Sequence, residues 1–425
     1  MGDKADDLGR TRGPAIRRAH GTAGAAGALL VAATLCSASA LAADDPSDGG
    51  LWYYTQTGMA DIQQHTTGEG ITIAIIDTPI NPDVPDLQGT DLTVHEPSYC
   101  VDAASQAALP ATATDDSALH ATGLAALIAG TGVGSNGTAG TRGVAPDASL
   151  LAYAVTISDC GTPNTAGKAL REAIADGADI VNMSFHDTGT EMSVSAEDVA
   201  YALSRGVILV ASSPHEGSSA ISAYPVSYNG VVGVESYGPG GVLSDLVETG
   251  DFVDVLAPGD RIRKPDSAND WTSYALTDGS SSATAFTSAA LALAWSAHPD
   301  ATSNQILQTL AHTTGTDGLI NLDTLVADDP TSYPDTNPYI TTDAIPSPQD
   351  IANATTQTTP TTSTTDDPGT DDPAAPTSNT TGLPGWVLPA AITATLLAAA
   401  GITTIVLLTR RGTTNPTTPP GGHHG

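Results

Sequence analysis

Three residues of this chain, Asp77, His120 and Ser281, are of the types that together activate a hydroxyl nucleophile. A serine hydroxyl needs a general base, and a histidine base needs an acid that holds its ring in the right tautomer. Ser281 lies in the run Gly-Ser-Ser-Ser (279–282), which leads into a segment of small residues. Unpaired N–H groups at a helix N-terminus favour the negative charge that develops when such a hydroxyl attacks.

Each of these residues also has a simpler interpretation. Serine is a favoured N-cap residue, so the serine run could only begin a helix. Asp77 could be a turn residue before Pro79, and His120 could cap a helix or lie in a core. The elements around them decide between these interpretations.

Strands and helices alternate along most of the chain. A β-branched run, residues 71–76, predicts a buried strand that ends at Asp77. The predicted helices that matter most are residues 118–128, near His120, and 281–295. Alternating elements of this length predict an α/β fold with a mainly parallel central sheet covered by helices on both faces. Ligands bind at the carboxyl ends of such strands, which is where Asp77 lies.

Four local sequences resemble those of the subtilisin-like serine proteases. Residues 73–78 (IAIIDT) resemble the family's strand that ends in Asp-Thr/Ser, and residues 120–130 (HATGLAALIAG) resemble its histidine helix. Residues 143–146 (GVAP) and 279–285 (GSSSATA) resemble the family's later motifs. The order Asp, His, Ser is that of subtilisin. The resemblance spans roughly residues 52–326 and implies the subtilisin-like three-layer fold.

The resemblance implies a role for each matched residue. Asp77 would be the orienting acid, His120 the general base and Ser281 the nucleophile. His215 stands where the family has its oxyanion asparagine, and an imidazole N–H can still donate there. Losing one such donor costs roughly 10²–10³ in rate. Two further departures are Ala121 and Ala285, which replace a glycine and a proline.

The resemblance also places a substrate-binding cleft. Peptide can add to a protein as an extra strand, and the matching segments contain Ser184, Phe185, His186, Ser212 and Ser213. The larger side chains of Phe185 and His186 indicate a narrowed cleft. The alternative for Phe185 is a place in the core.

Composition limits the partners of the protein. The 425 residues carry 14 Lys and Arg against 47 Asp and Glu, a formal net charge of −33. This charge argues against nucleic acid as a partner, because phosphate binding needs a basic face.

Of the three cysteines, Cys100 and Cys160 remain after removal of an N-terminal signal. In an exported protein we expect a disulfide between them, the alternative being two free buried thiols.

The ends of the chain predict a membrane-anchored protein. Residues 1–42 have the basic lead, apolar run and small-x-small site of a signal peptide, with an uncleaved signal anchor as the alternative. The peptidase domain is predicted over 43–327, followed by a disordered stalk rich in Thr, Pro and Asp over 328–385. Residues 386–408 are long and apolar enough for a transmembrane helix, and the basic pair that opens the short tail (409–425) marks the cytoplasmic side.

This layout resembles that of the mycosins, membrane-anchored proteases associated with type VII secretion. It implies an extracytoplasmic serine endopeptidase of the cell membrane, single-pass, with the catalytic domain outside. Its partners would be polypeptide substrates and secretion-complex proteins. The alternative is a catalytically impaired protease fold with a structural role in a membrane complex. We expect no cofactor and no required metal.

Overall fold

The central strand of the fold is the predicted one that ends at the candidate acid. This strand, β1 (Thr72–Asp77), is buried along almost its whole length. The structure is a computed structural model and describes residues 49–155, 165–186, 194–214, 223–243 and 250–355. Within these ranges β1 pairs in parallel with β5 (Ser149–Ala154) on one side and β6 (Ile180–Met183) on the other. A β-branched run buried on both faces is typical of such a central position.

The main sheet has the order β10-β8-β7-β6-β1-β5-β2, and its pairs are parallel. A short strand, β9, is added antiparallel to β8. The remaining strands of this sheet are β2 (Leu92–Val94), β7 (Ile208–Ser212), β8 (Val232–Gly238), β9 (Val242–Leu243) and β10 (Val255–Pro258). The mainly parallel sheet is therefore as predicted.

Helices cover both faces of this sheet. Their bounds in the described residues are α1 (Trp52–Gln56), α2 (Met59–Ile62), α3 (Leu119–Ala129), α4 (Thr165–Ala175), α5 (Ala196–Ser204), α6 (Ser280–Ala297), α7 (Ser303–Thr313), α8 (Leu322–Ala327) and α9 (Pro348–Ala354). Alternate residues of β1 face opposite layers. Ile73 and Ile75 belong to the core with α3 and α6, whereas Ala74 and Ile76 belong to the core with α4 and α5.

Two antiparallel hairpins lie outside the main sheet. They are β3 (Thr131–Val133) with β4 (Ala139–Arg142), and β11 (Ile262–Pro265) with β12 (Tyr274–Thr277). The first spans residues 131–142, a stretch rich in glycine. Two residues separate the second hairpin from the start of α6.

The folded domain extends further than predicted. The sequence places its end at residue 327 and a disordered stalk from 328, but residues 328–355 pack on the domain and end in α9. Asn229, which is buried between β7 and β8, holds this segment through four side-chain hydrogen bonds. Its Nδ2 donates to Thr341 O (2.9 Å) and Pro346 O (2.8 Å), and its Oδ1 accepts from Thr341 N (2.7 Å) and from the Thr341 hydroxyl (3.4 Å). The predicted boundary is therefore wrong for residues 328–355, because a polar segment can be fixed by hydrogen bonds without apolar periodicity.

Several predicted segments lie outside the described residues: the signal peptide (1–42), the rest of the stalk (356–385), the membrane helix (386–408) and the tail (409–425). Within the ranges that the structure does describe, no helix combines the length and apolar character needed to cross a bilayer.

Candidate active site

Asp77 and His120 form a close pair at the carboxyl end of β1. His120 Nδ1 lies 2.6 Å from Asp77 Oδ1, and the same oxygen accepts from the Thr78 backbone N–H at 2.7 Å. Asp77 is only 3% exposed, whereas the His120 side chain is 39% exposed. Because a carboxylate only accepts hydrogen bonds, Nδ1–H is the donor, which leaves Nε2 as the basic nitrogen. A buried acid thus orients a base that solvent and substrate can reach.

The first turn of α3 holds His120 beside that acid. The Thr78 hydroxyl accepts from the Ala121 backbone N–H at 3.2 Å, which joins the end of β1 to the start of α3. Ala121 itself is buried in the core, so the methyl that replaces the family's glycine is accommodated. Thr78 is a positioning residue to which sequence reasoning assigned no role, although it directly follows the acid.

The three adjacent serines at the start of α6 have different surroundings. Ser280 and Ser282 are buried, and the Ser280 hydroxyl donates to Ser213 O at 2.9 Å. Ser281 is partly exposed, and its hydroxyl donates to Ser184 O at 3.1 Å. Among the three, only Ser281 therefore offers an accessible hydroxyl.

A glycine, and not a serine, occupies the N-cap position of α6. Gly279 has φ +150°, a backbone conformation that residues with a Cβ rarely adopt, and no side chain caps the helix. The N-cap interpretation of the serines is therefore wrong. Ser281 is the second residue of the helix, where its own backbone N–H is among the first four, which have no partner within the helix.

The structure records no hydrogen bond between His120 and Ser281, both of which it describes. The Ser281 hydroxyl turns towards Ser184 O instead. Catalytic hydrogen bonds are often long or misaligned without substrate, so this geometry does not remove Ser281 from the candidate triad.

The predicted substrate strand is tied to the nucleophile helix. Ser184 is buried, accepts from Asn182 Nδ2 at 3.0 Å, and donates its hydroxyl to Ser281 O at 3.0 Å. Phe185 and His186 are half-buried, and Phe185 packs against the core that contains α4 and α5. This contact favours the alternative that Phe185 is a core residue.

Ser212 and Ser213, also predicted to bind substrate, are buried at the end of β7. The Ser213 hydroxyl donates to Glu235, whose carboxylate also accepts from the Ser236 backbone N–H at 2.7 Å. Burial raises the pKa of the Glu235 carboxyl to about 6, even though these hydrogen bonds act to lower it. Sequence reasoning missed Glu235, since a single glutamate in a strand carries no distinguishing pattern.

Two predicted site residues cannot be placed in this geometry, because His215 and Cys160 lie outside the described residues. Cys100 is buried and disulfide-bonded. Its pairing with Cys160 and the role of His215 at the oxyanion position stay predictions.

Metal binding has no candidate cluster in the part of the chain that the structure describes. There, no group of three or more His, Cys, Asp or Glu side chains is arranged to hold an ion. The absence of a required metal remains a prediction.

Comparison with known proteins matches this chain to proteases. The sequence model of the "Subtilase family" (Peptidase_S8) matches residues 68–361. Subtilisin BL from Lederbergia lenta is 30% identical over 259 residues, which are 60% of this chain and 87% of that protein. The match to this chain covers 62% of the length of each of two other proteases.

Solved structures share the fold at lower identity. MycP1 from the ESX-1 type VII secretion system has a TM-score of 0.53 at 21% identity, covering 68% of this chain and 88% of that one. Fervidolysin from Fervidobacterium pennivorans has a TM-score of 0.54 at 24% identity, covering 65% of this chain and 46% of that one. At these identities the structural similarity is evidence for the fold alone.

Proposed function

Because this chain belongs to the subtilase family, we propose that it is a serine endopeptidase that hydrolyses peptide bonds with Asp77, His120 and Ser281. The observation that carries the proposal is the buried Asp77 carboxylate, which lies 2.6 Å from His120 Nδ1 at the carboxyl end of β1, together with the accessible Ser281 in the first turn of α6. Acyl transfer needs these three groups and an electropositive place for the oxyanion.

The reaction then follows from the atoms present. His120 Nε2 removes the proton of the Ser281 hydroxyl as Oγ attacks the substrate carbonyl, and Asp77 stabilises the imidazolium that results. The Ser281 backbone N–H at the start of α6 supports the oxyanion, with His215 as the expected second donor. His120 returns its proton to the leaving amine, and water hydrolyses the acyl-enzyme by the same steps.

The test of this mechanism is covalent labelling of the full chain by a fluorophosphonate probe. We expect wild type to be labelled and Ser281→Ala to lose labelling completely, because the reacting oxygen is gone. Ser296→Ala, at the far end of the same helix, is the matched control and should label like wild type. Labelling that survives in Ser281→Ala would refute the nucleophile assignment, and a wild type that neither labels nor cleaves unfolded casein would refute the enzyme.

We further propose that the peptidase is anchored to the membrane by residues 386–408, faces outward, and serves a secretion system of type VII kind. Support comes from the apolar run with its trailing Arg410 and Arg411, and from the shared fold of MycP1. Deleting 386–408 should move the protein from the membrane fraction to the medium. Retention in the membrane after this deletion would contradict the anchor.

A structural role in a membrane complex is the second candidate. It is favoured by the Ser281 hydroxyl, which donates to Ser184 O and not to His120, and by His215, which the sequence resemblance aligns with the family's oxyanion asparagine. Secretion in a null strain complemented with Ser281→Ala distinguishes the two candidates. Full rescue supports the structural role, and failure to rescue supports catalysis.

A further inference from the structure

A buried glutamate lies where two central strands of the sheet end. Glu235, on β8, is only 2% exposed, and glutamate is almost never fully buried unless it is paired. On the neighbouring strand, Ser213 directly follows β7 and donates its backbone N–H to Val234 O at 2.9 Å. An apolar residue of similar size would avoid the cost of burying a carboxylate here, so its presence needs a physical explanation.

Each oxygen of this carboxylate has its own partners. Glu235 Oε2 accepts from the Ser213 hydroxyl, whereas Oε1 accepts from the Ser236 backbone N–H at 2.7 Å and from the Ser236 hydroxyl at 3.2 Å. Burial and, to a smaller extent, the Asp260 carboxylate raise the pKa of Glu235 to about 6, so at about pH 8 the group is ionised and accepts on both sides. The side chain therefore ties the end of β7 to β8.

Ser213 in turn holds the start of the nucleophile helix. Its carbonyl oxygen accepts from the hydroxyl of Ser280, the first residue of α6, at 2.9 Å. Two consecutive hydrogen bonds thus connect Glu235 to the residue that precedes Ser281. The Ser213 side chain is enclosed and bonded to Glu235, so its hydroxyl serves this link and does not face substrate.

Close packing holds the same helix start at a second point. Gly259, which directly follows β10, accepts from the Gly279 backbone N–H at 3.1 Å. A Cβ added at Gly259 would lie 2.5 Å from Ser236 Cβ and 2.9 Å from Ala283 Cβ. The first turn of α6 is therefore fixed by packing at Gly259 and by the hydrogen-bonded link through Ser213.

We propose that Glu235 is a positioning residue of the active site, which fixes Ser213 and through it the first turn of α6, so that the Ser281 backbone N–H is held in place for the oxyanion. The inference rests on the proposed protease function. An oxyanion donor is most effective when its position is fixed before the charge develops. Because the oxyanion forms in the transition state and is absent from bound substrate, loosening the link lowers kcat and leaves KM nearly unchanged.

The experiment measures kcat and KM of the full-length protein at about pH 8 with a peptide taken from a site that it cleaves in casein. We expect Glu235→Met, which keeps the size but has no acceptor, and Ser213→Ala, which lacks the hydroxyl, each to lower kcat by roughly 10–100-fold. The double variant should be no slower than the slower single variant, because both changes break the same link. Glu235→Gln, whose amide can still bond to both neighbours, should lose less activity than Glu235→Met.

Ser236→Ala is the matched control. It removes a hydroxyl that bonds to the same carboxylate but leaves the link to Ser213 intact, so its kcat should equal that of wild type. Urea unfolding of every variant shows that the protein measured is folded. If Glu235→Met does not fold, Ser213→Ala and Glu235→Gln make the same test.

A binding measurement separates the oxyanion from recognition of the peptide. When an aldehyde of the same peptide binds, Ser281 Oγ bonds to its carbonyl carbon, the hydroxyl proton passes to His120 and the carbonyl oxygen takes the negative charge. The corresponding peptide alcohol binds without forming an oxyanion. We expect Glu235→Met and Ser213→Ala to weaken aldehyde binding by roughly 10–100-fold and to leave alcohol binding within about threefold of wild type.

The outcomes distinguish this inference from the protease function on which it rests. Folded Glu235→Met and Ser213→Ala with wild-type kcat and aldehyde affinity overturn the role of Glu235, as does an equal loss in Ser236→Ala or an equal loss of alcohol binding. A wild type that neither hydrolyses the peptide nor binds the aldehyde refutes the protease function itself.

Discussion

At the residue scale, burial distinguishes chemically identical side chains. Ser280, Ser281 and Ser282 are adjacent, yet two are enclosed by Ser213 O and Lys264 and only the middle one is accessible. The family resemblance selects the same residue by its register within the motif. Two independent criteria, sequence register and exposure, therefore agree on Ser281.

Glu235 carries a pH-dependent stability that can be measured. Its folded pKa of about 6 lies above that of an ordinary glutamate, so the folded state holds a proton more tightly than the unfolded state between about pH 4 and 6. This contribution stabilises the fold at acid pH and is lost as the pH rises through 6. Glu235→Gln cannot titrate, so the variant lacks this dependence.

We expect the free energy of unfolding of wild type, relative to Glu235→Gln, to fall by roughly 2 kcal/mol between pH 4 and 7.5. Urea unfolding of both proteins at the two pH values measures this difference, and titrations of other groups cancel in the comparison. Identical pH dependence in the two proteins would show that Glu235 titrates alike in the folded and unfolded states.

At the element scale, the packing of α3, β11 and α6 depends on Gly123 and Lys264. In isolation, alanine at Gly123 would favour the helix by about 1 kcal/mol. In the protein its methyl would meet the Lys264 stem at 2.7 Å. Whether Gly123→Ala raises or lowers the stability of the protein therefore depends on the side chain at residue 264.

Gly123→Ala should destabilise the wild-type protein by roughly 1–3 kcal/mol, because overpacking in the core outweighs the gain in helix propensity. In a Lys264→Ala background the same change should become neutral or stabilising. Urea unfolding of the four proteins in this cycle gives the coupling free energy. Equal effects of Gly123→Ala in both backgrounds would mean that the two side chains do not compete for this space.

The sequence predicts the long elements well and the short ones poorly. Strand β1 and helices α3 and α6 are continuous buried runs, and their patterns identify them within one or two residues. Hairpins such as β3–β4 consist of a few small or polar residues, and their pairing depends on contacts distant in sequence. The residue pattern of one strand does not show which other segment of the chain it pairs with.

At the scale of the whole molecule, residues 328–355 complete the domain although their composition resembles a linker. The Asn229 side chain bonds to two carbonyls, one N–H and one hydroxyl of this segment, in a buried place where unpaired polar groups would be costly. A chain that ends after residue 355 keeps these hydrogen bonds and serves as the reference in thermal unfolding. A chain that ends after residue 327 should be markedly less stable.

Asn229→Ala tests the same contact without truncation, and we expect it to lower the free energy of unfolding by roughly 2–4 kcal/mol. Gln349→Ala, which removes an exposed side-chain pair with Asn353 on the same segment, is the control and should change it by less than about 0.5 kcal/mol. If both substitutions have the same small effect, the segment does not stabilise the domain.

The sequence by itself determined the family and the parallel α/β fold, and it singled out Asp77, His120 and Ser281 as candidates, because each lies in a short contiguous motif. Only the tertiary structure decided which side chains surround them. The burial of Lys264 against Gly123 and Ser282, the enclosure of Glu235 and the docking of residues 328–355 on Asn229 all join segments far apart in the chain. Desolvation and hydrogen bonding between such segments depend on proximity in space, which no local pattern records.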